Sequence, residues 1–228
     1  MNTQRKINLS QSFVTLGILV VLLIVFLVEV FLGGSENTNV LMKMGAMNNF
    51  AVVAGHQWWR LFMAQFLHIG IMHLVSNAII IYYMGQYMEP LMGHVRFLVT
   101  YLLAGVGGNL MSLAFSADRG LSAGASTALF GLFGAMTAIG LRNLHNPMIA
   151  FLGRQAFVLA LINLALDIFM PGIDIWGHIG GLIAGFLLAI ILGDRVMKTY
   201  NPKWRVLAAA VLVVYVVWTV RTGMIINF

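Results

Sequence analysis

The chain is apolar from Phe13 to Leu32, broken only by Thr15 and Glu29. Six further apolar runs follow: Ile71 to Leu91, Phe97 to Phe115, Thr127 to Leu141, Ala156 to Met170, Trp176 to Leu192 and Val206 to Val220. A helix crossing a bilayer needs roughly 20 mostly apolar residues, and the first run is too long for a signal-peptide core. The pattern therefore predicts seven transmembrane helices. Several runs are short and carry glycines, which fits helices packed closely in a bundle. Between the first two runs, Gly33 to Trp59 is mixed in character, with Lys43, His56, Trp58 and Trp59, and predicts a long interfacial loop with an aromatic anchor. The two halves show no repeat of the kind that builds inverted-repeat transporters.

Composition narrows the class. Of 228 residues, 61% are apolar and 9% charged, against about 45–50% and 25% in soluble domains. A soluble globular protein is excluded, and no separate soluble domain fits beside the seven runs. With no cysteine, disulfides, thiolate metal sites and cysteine nucleophiles are excluded too. The 15 methionines read as adaptable core filling rather than as metal ligands.

The net charge of +6 fits a record of orientation better than a nucleic-acid partner. With a cytoplasmic N-terminus, the inner segments hold Arg5, Lys6, Arg96, Arg142, Arg154, Arg195, Lys198, Lys203 and Arg205, and the outer ones Lys43, Arg60, Arg119 and Arg221. Excess Lys and Arg stay inside, so the N-terminus is expected in the cytoplasm and, after an odd number of spans, the C-terminus outside.

Polar groups inside spans are costly, and their positions carry the chemistry. His68, His73 and Asn77 in FLHIGIMHLVSN lie at the outer start of the second span, Ser126 in GASTALFG at that of the fourth, and His178 in WGHIGGLIAG at that of the sixth. Taken singly, a membrane serine usually bonds its own helix and an interfacial histidine is usually just solvated. At one shared depth they supply a nucleophile, a base and oxyanion donors. His73 and Asn77 share a helix face, as do His178, Gly181 and Gly185. Phe130 and Gly134 follow Ser126 one and two turns down. The glycines predict that spans four and six pack backbone to backbone, which brings Ser126 within hydrogen-bond reach of His178.

These motifs resemble those of rhomboid intramembrane serine proteases of the bacterial type. WWR at 58–60 resembles the Trp-Arg pair of the family's first loop, and HIGIMHLVSN its His and HxxxN elements. GQYMEPLMG matches GxxxExxxG through Gly85, Glu89 and Gly93; GAST, with Gly124, stands where the family has GxSG; and GHIGGLIAG resembles HxxGxxxG. Thr127 replaces the usual glycine after the nucleophile, and Phe130 takes the place of a tyrosine stacked on the histidine. The resemblance implies an all-α polytopic membrane protein with a short cytoplasmic N-terminus (1–12), a six-helix catalytic core (13–194), and a loop with a seventh helix (195–228).

It also implies a Ser-His dyad in which His178 is the base for nucleophilic Ser126, with Asn77, His73 and the Ser126 N–H holding the oxyanion. Substrates would be single-span membrane proteins in the lipid bilayer of a bacterial plasma membrane, with no cofactor, metal or nucleic acid involved. Structural roles are expected for His68, on the far side from His73 if helical; for Arg60, anchoring the loop; and for Glu89, bonding a neighbouring loop or helix end at the inner interface rather than serving a proton or ion relay. Glu29 is expected to snorkel to the interface, and Asp174 and Asp167 to be loop and cap residues rather than the third acid of a triad. The rivals are a transporter with a polar path and an inactive relative that retains membrane clients.

Overall fold

The computed structural model describes residues 12–116, 120–194 and 200–226. Among them regular structure is helical apart from one isolated bridge between Met47 and Ser122. Helix α1 (Phe13–Phe31) leads into a loop with three short helices, α2 (Thr38–Met44), α3 (Asn49–Val53) and α4 (Arg60–Met63), and a tight turn at Ala64–Phe66. Six long helices follow: α5 (Ile71–Met92), α6 (His94–Phe115), α7 (Ser126–Arg142), α8 (Pro147–Asp167), α9 (Ile175–Leu192) and α10 (Pro202–Ile226).

The seven apolar runs thus each fall on one long helix, but the limits of two helices, α8 and α10, differ at both ends from those expected. Helix α8 starts nine residues before the expected Ala156 and stops at Asp167 rather than Met170, because Asn146 caps it by accepting from the Ile149 N–H at 3.2 Å and Pro147 fits its first position. Helix α10 outruns its apolar segment at both ends, with Asn201 accepting from Lys203 N–H at its start. Among the described residues, five helices are by length and composition able to cross a membrane, and a sixth when Arg60–Phe66 and Ile71–Met92, bent by 91°, are taken together. Helix α7 is a shorter apolar helix of 17 residues. At 1.5 Å per residue it spans about 25 Å, less than the roughly 30 Å hydrocarbon thickness.

Helices α6, α7 and α9 form the centre. A Cβ at Gly134, Gly181 or Gly185 would run into the backbone of the facing helix, at Leu182, Thr127 and Gly131 respectively. Glycine is what allows this approach. Helix α8 leans on α7 where Gly140 and Gly153 face each other, and α1 on α5 where Thr15 fills the space over Gly85. Helix α10 is tied to α6 by Tyr215 Oη donating to the Gly107 carbonyl at 2.6 Å.

The outward faces of α1, α8 and α10 are apolar, with Leu16, Val20, Leu27, Phe157, Ile162, Val213 and Val217 all exposed. So much apolar surface on three helices is matched by lipid and not by water. The protein is a multi-pass integral membrane protein. Of the basic residues expected to set its orientation, Arg5, Lys6, Arg119, Arg195 and Lys198 lie outside the described residues, as does nearly all of the expected N-terminal segment 1–12.

Candidate active site

Ser126 is the first residue of α7, so the N–H groups of that first turn have no partner within the helix. Its hydroxyl lies 2.8 Å from Nε2 of His178, which enters from the first turn of α9. The backbone approach at Gly181 sets this distance by letting α9 close on Thr127. Phe130, one turn below Ser126, stacks on the imidazole with centroids 4.2 Å apart and planes 10° from parallel. The ring therefore has little freedom to rotate, and it is only 7% exposed.

A cavity of about 750 Å³ opens over this pair, lined among others by His73, Asn77, Gly124, Thr127, Asp167 and Met170. The buried Asn77 amide nitrogen has no hydrogen-bond partner among the described residues, so a donor stands ready for a ligand oxygen in the cavity. His73 abuts Gly124, whose φ of +151° suits glycine and whose missing side chain leaves room for the ring: a Cβ there would sit 2.9 Å from His73 Nε2 and 3.5 Å from Ser126 Oγ. The segment that carries Gly124 is held on both sides. Gly124 N–H donates to the Ala64 carbonyl at 3.0 Å, and Ser122 pairs with Met47 of the long loop.

Thr127 is buried, with its hydroxyl unpaired among the described residues. Its β-branched side chain occupies space left by two glycines on other helices: a Cβ at Gly108 would approach Thr127 Cβ to 2.7 Å, and one at Gly177 would approach its Cγ2 to 3.0 Å. The extra bulk at 127 is thus absorbed in the helix packing behind the site.

Residues 55–195, more than half of the sequence, match the rhomboid domain. The chain belongs to the rhomboid family. Similar proteins include "Rhomboid protease GluP" of Bacillus subtilis, 37% identical over 217 residues that cover 95% of this chain and 41% of the relative. "RHOMBOID-like protein 6, mitochondrial" of Arabidopsis thaliana is 39% identical, over 81% of this chain and 65% of the relative. "Rhomboid-like protease 3" of Toxoplasma gondii is 34% identical, over 74% and 63%. The chain spans less than two thirds of the length of each of these relatives.

Five other polar residues divide into two expected structural roles and three departures. Arg60 is buried, with Nε donating to Gln57 Oε1 at 2.7 Å and Nη1 to the Ala46 carbonyl at 2.8 Å, so it ties the long loop together. Glu89 Oε1 and Oε2 accept from the Val14 and Thr15 N–H groups and from the Thr15 hydroxyl, and Glu89 also pairs with His94 at 2.6 Å. Val14 and Thr15 belong to the first turn of α1, and His94 opens α6.

His68 does not lie on the far side from His73. The chain is bent rather than helical there, and the two rings meet edge to face at 5.3 Å. Glu29 does not snorkel: it is fully buried and accepts from the His68 N–H at 3.0 Å. The bend leaves that N–H without a helical acceptor, and a buried donor must be satisfied. Asp167, expected to be a cap, instead meets His178 Nδ1 with Oδ2 at 2.7 Å. Sequence periodicity misses this pair because the two residues sit on different helices. The signal that finds it is the short connection 168–174, which makes the end of α8 and the start of α9 antiparallel neighbours.

Proposed function

We propose that this chain is an intramembrane serine protease that hydrolyses peptide bonds of single-span membrane proteins near the outer membrane face. The observation that carries the reading is the Ser126–His178 hydrogen bond of 2.8 Å at the floor of a recessed cavity. His178 Nε2 takes the hydroxyl proton as Ser126 Oγ attacks the scissile carbonyl, and returns it to the leaving amine. Water then hydrolyses the acyl-enzyme by the same route in reverse. The developing oxyanion is held by the Ser126 N–H, the unpaired Asn77 amide and His73, groups already in place around the cavity.

Water for hydrolysis reaches Ser126 through the cavity that opens over it and His178. A bound substrate helix must unwind locally before its carbonyl is reachable, so small or helix-weakening residues near its outer end favour cleavage. The distribution of Lys and Arg favours a cytoplasmic N-terminus and an outer C-terminus. The Bacillus relative that covers 95% of the chain favours a bacterial plasma membrane.

A fluorescent fluorophosphonate tests the nucleophile directly on protein purified in detergent. Wild type is expected to label, and Ser126→Ala and His178→Ala to lose labelling. Failure of wild type to label, or undiminished labelling of Ser126→Ala, sinks the hydrolase reading and leaves retention of membrane clients as the explanation for the cavity. With a single-span substrate, Asn77→Ala is expected to slow turnover by roughly 10²-fold, and equal turnover would remove Asn77 from the oxyanion site.

A further inference from the structure

Two carboxylates lie within reach of the start of α9, and they are differently engaged. Asp174 caps the helix by accepting from Gly177 N–H at 3.0 Å, and it also accepts from the hydroxyls of Ser112, of Ser116 at 2.6 Å and of Ser122 at 3.0 Å. Its oxygens are taken up in tying α6 and the segment before Ser126 to the start of α9. Asp167 is free of such duties. It is the last residue of α8, where the helix dipole presents its negative end and disfavours a carboxylate. The helix therefore gives no reason for an acid at this position, and the side chain is only 10% exposed. What it meets is the Nδ1 edge of the same imidazole whose Nε2 edge meets Ser126.

We propose that Asp167 is the positioning residue of His178: its carboxylate accepts the Nδ1 proton, which leaves Nε2 bare to receive the proton of Ser126 and opposes the positive charge on the ring once it has done so. The proposal rests on the hydrolase reading of Ser126 and His178. A neutral imidazole carries one proton on either nitrogen, and the hydrogen bond made by one nitrogen sets the state of the other. Phe130 stacking fixes the plane of the ring but cannot choose between its two nitrogens; a carboxylate at 2.7 Å from Nδ1 does. Ser126, His178 and Asp167 come from α7, α9 and α8 respectively. The outer end of α8 must therefore be seated for the histidine to be aligned, although α8 meets α7 backbone to backbone only further in, at Gly140 and Gly153.

The test uses the full chain in detergent with a single-span substrate, and compares wild type with Asp167→Asn and Asp167→Glu. Asp167→Asn keeps the shape but offers an amide, and is expected to lower kcat by roughly 10²-fold or more with KM nearly unchanged. Asp167→Glu restores a carboxylate and is expected to recover much of that loss. Independently of turnover, nitrogen NMR of isotopically labelled histidine reads the His178 tautomer in unreacted protein: the proton is expected on Nδ1 in wild type and in Ser126→Ala, and no longer confined there in Asp167→Asn. Thermal unfolding of each variant separates a folding defect from a site defect.

The proposal is overturned if Asp167→Asn keeps kcat within about two-fold, if its loss lies in KM or in thermal stability alone, or if the tautomer does not change. If instead wild type is not labelled by the fluorophosphonate, the hydrolase reading has failed, and the tautomer measurement still decides whether Asp167 sets the histidine.

Discussion

At the scale of single residues, the cavity depends on side chains that are absent as much as on those present. Gly124 has a positive φ and backs directly on His73 and Ser126. In Gly124→Ala the new methyl meets the His73 ring at 2.6 Å, so either the ring or the segment must move. Turnover of a single-span substrate is expected to fall by about 10-fold or more, since displacing a reacting or stabilising group by an ångström has effects of that order. Unchanged turnover would show that His73 does not need its present place. Four of the cavity's polar residues, Ser126, His178, His73 and Asn77, are legible in the sequence because a polar side chain in a membrane needs a reason. The partners of Asp167, His68 and Glu29 escape the sequence for a common cause. Their partners are set by a turn or a bend, where helical spacing no longer says which side chains face each other.

At the scale of elements, helix existence was legible and helix limits were not. Apolar runs mark where lipid and core surround a helix, whereas α8 and α10 continue past those runs on caps from Asn146 and Asn201. Glu89 joins two elements in the same way. Placed near the end of α5, it satisfies the Val14 and Thr15 N–H groups, orphan donors at the start of α1, where the dipole also favours a negative charge. Glu89→Ala removes that acceptor from a buried site and leaves two N–H groups and a hydroxyl unpaired. A loss of about 2 kcal/mol or more is expected, read as a lower midpoint of thermal unfolding in detergent. Because Glu89 lies at the opposite end of α5 from His73 and Asn77, labelling of Ser126 below that midpoint is expected to persist. A midpoint equal to that of wild type would mean that α1 is held by its apolar stripe alone.

At the scale of the whole molecule, the proposed reaction requires Ser126 to face the side of the membrane opposite the N-terminus, and this is open to direct measurement because the chain has no cysteine. Single cysteines can be read without background. His56, in the long loop before α5, and His145, in the turn between α7 and α8, are both exposed, and the connections they occupy lie on opposite sides of the bundle in the proposed orientation. Placing Lys and Arg on the cytoplasmic side puts Arg142 and Arg154, which flank His145, inside and the loop of His56 outside. In intact bacterial cells, His56→Cys is expected to react with a membrane-impermeant maleimide, and His145→Cys only after the membrane is permeabilised. The reverse pattern would turn the cavity toward the cytoplasm. Cleavage would then have to occur at the inner ends of substrate helices, and the outward-facing reaction proposed for Ser126 would be wrong even with its chemistry intact.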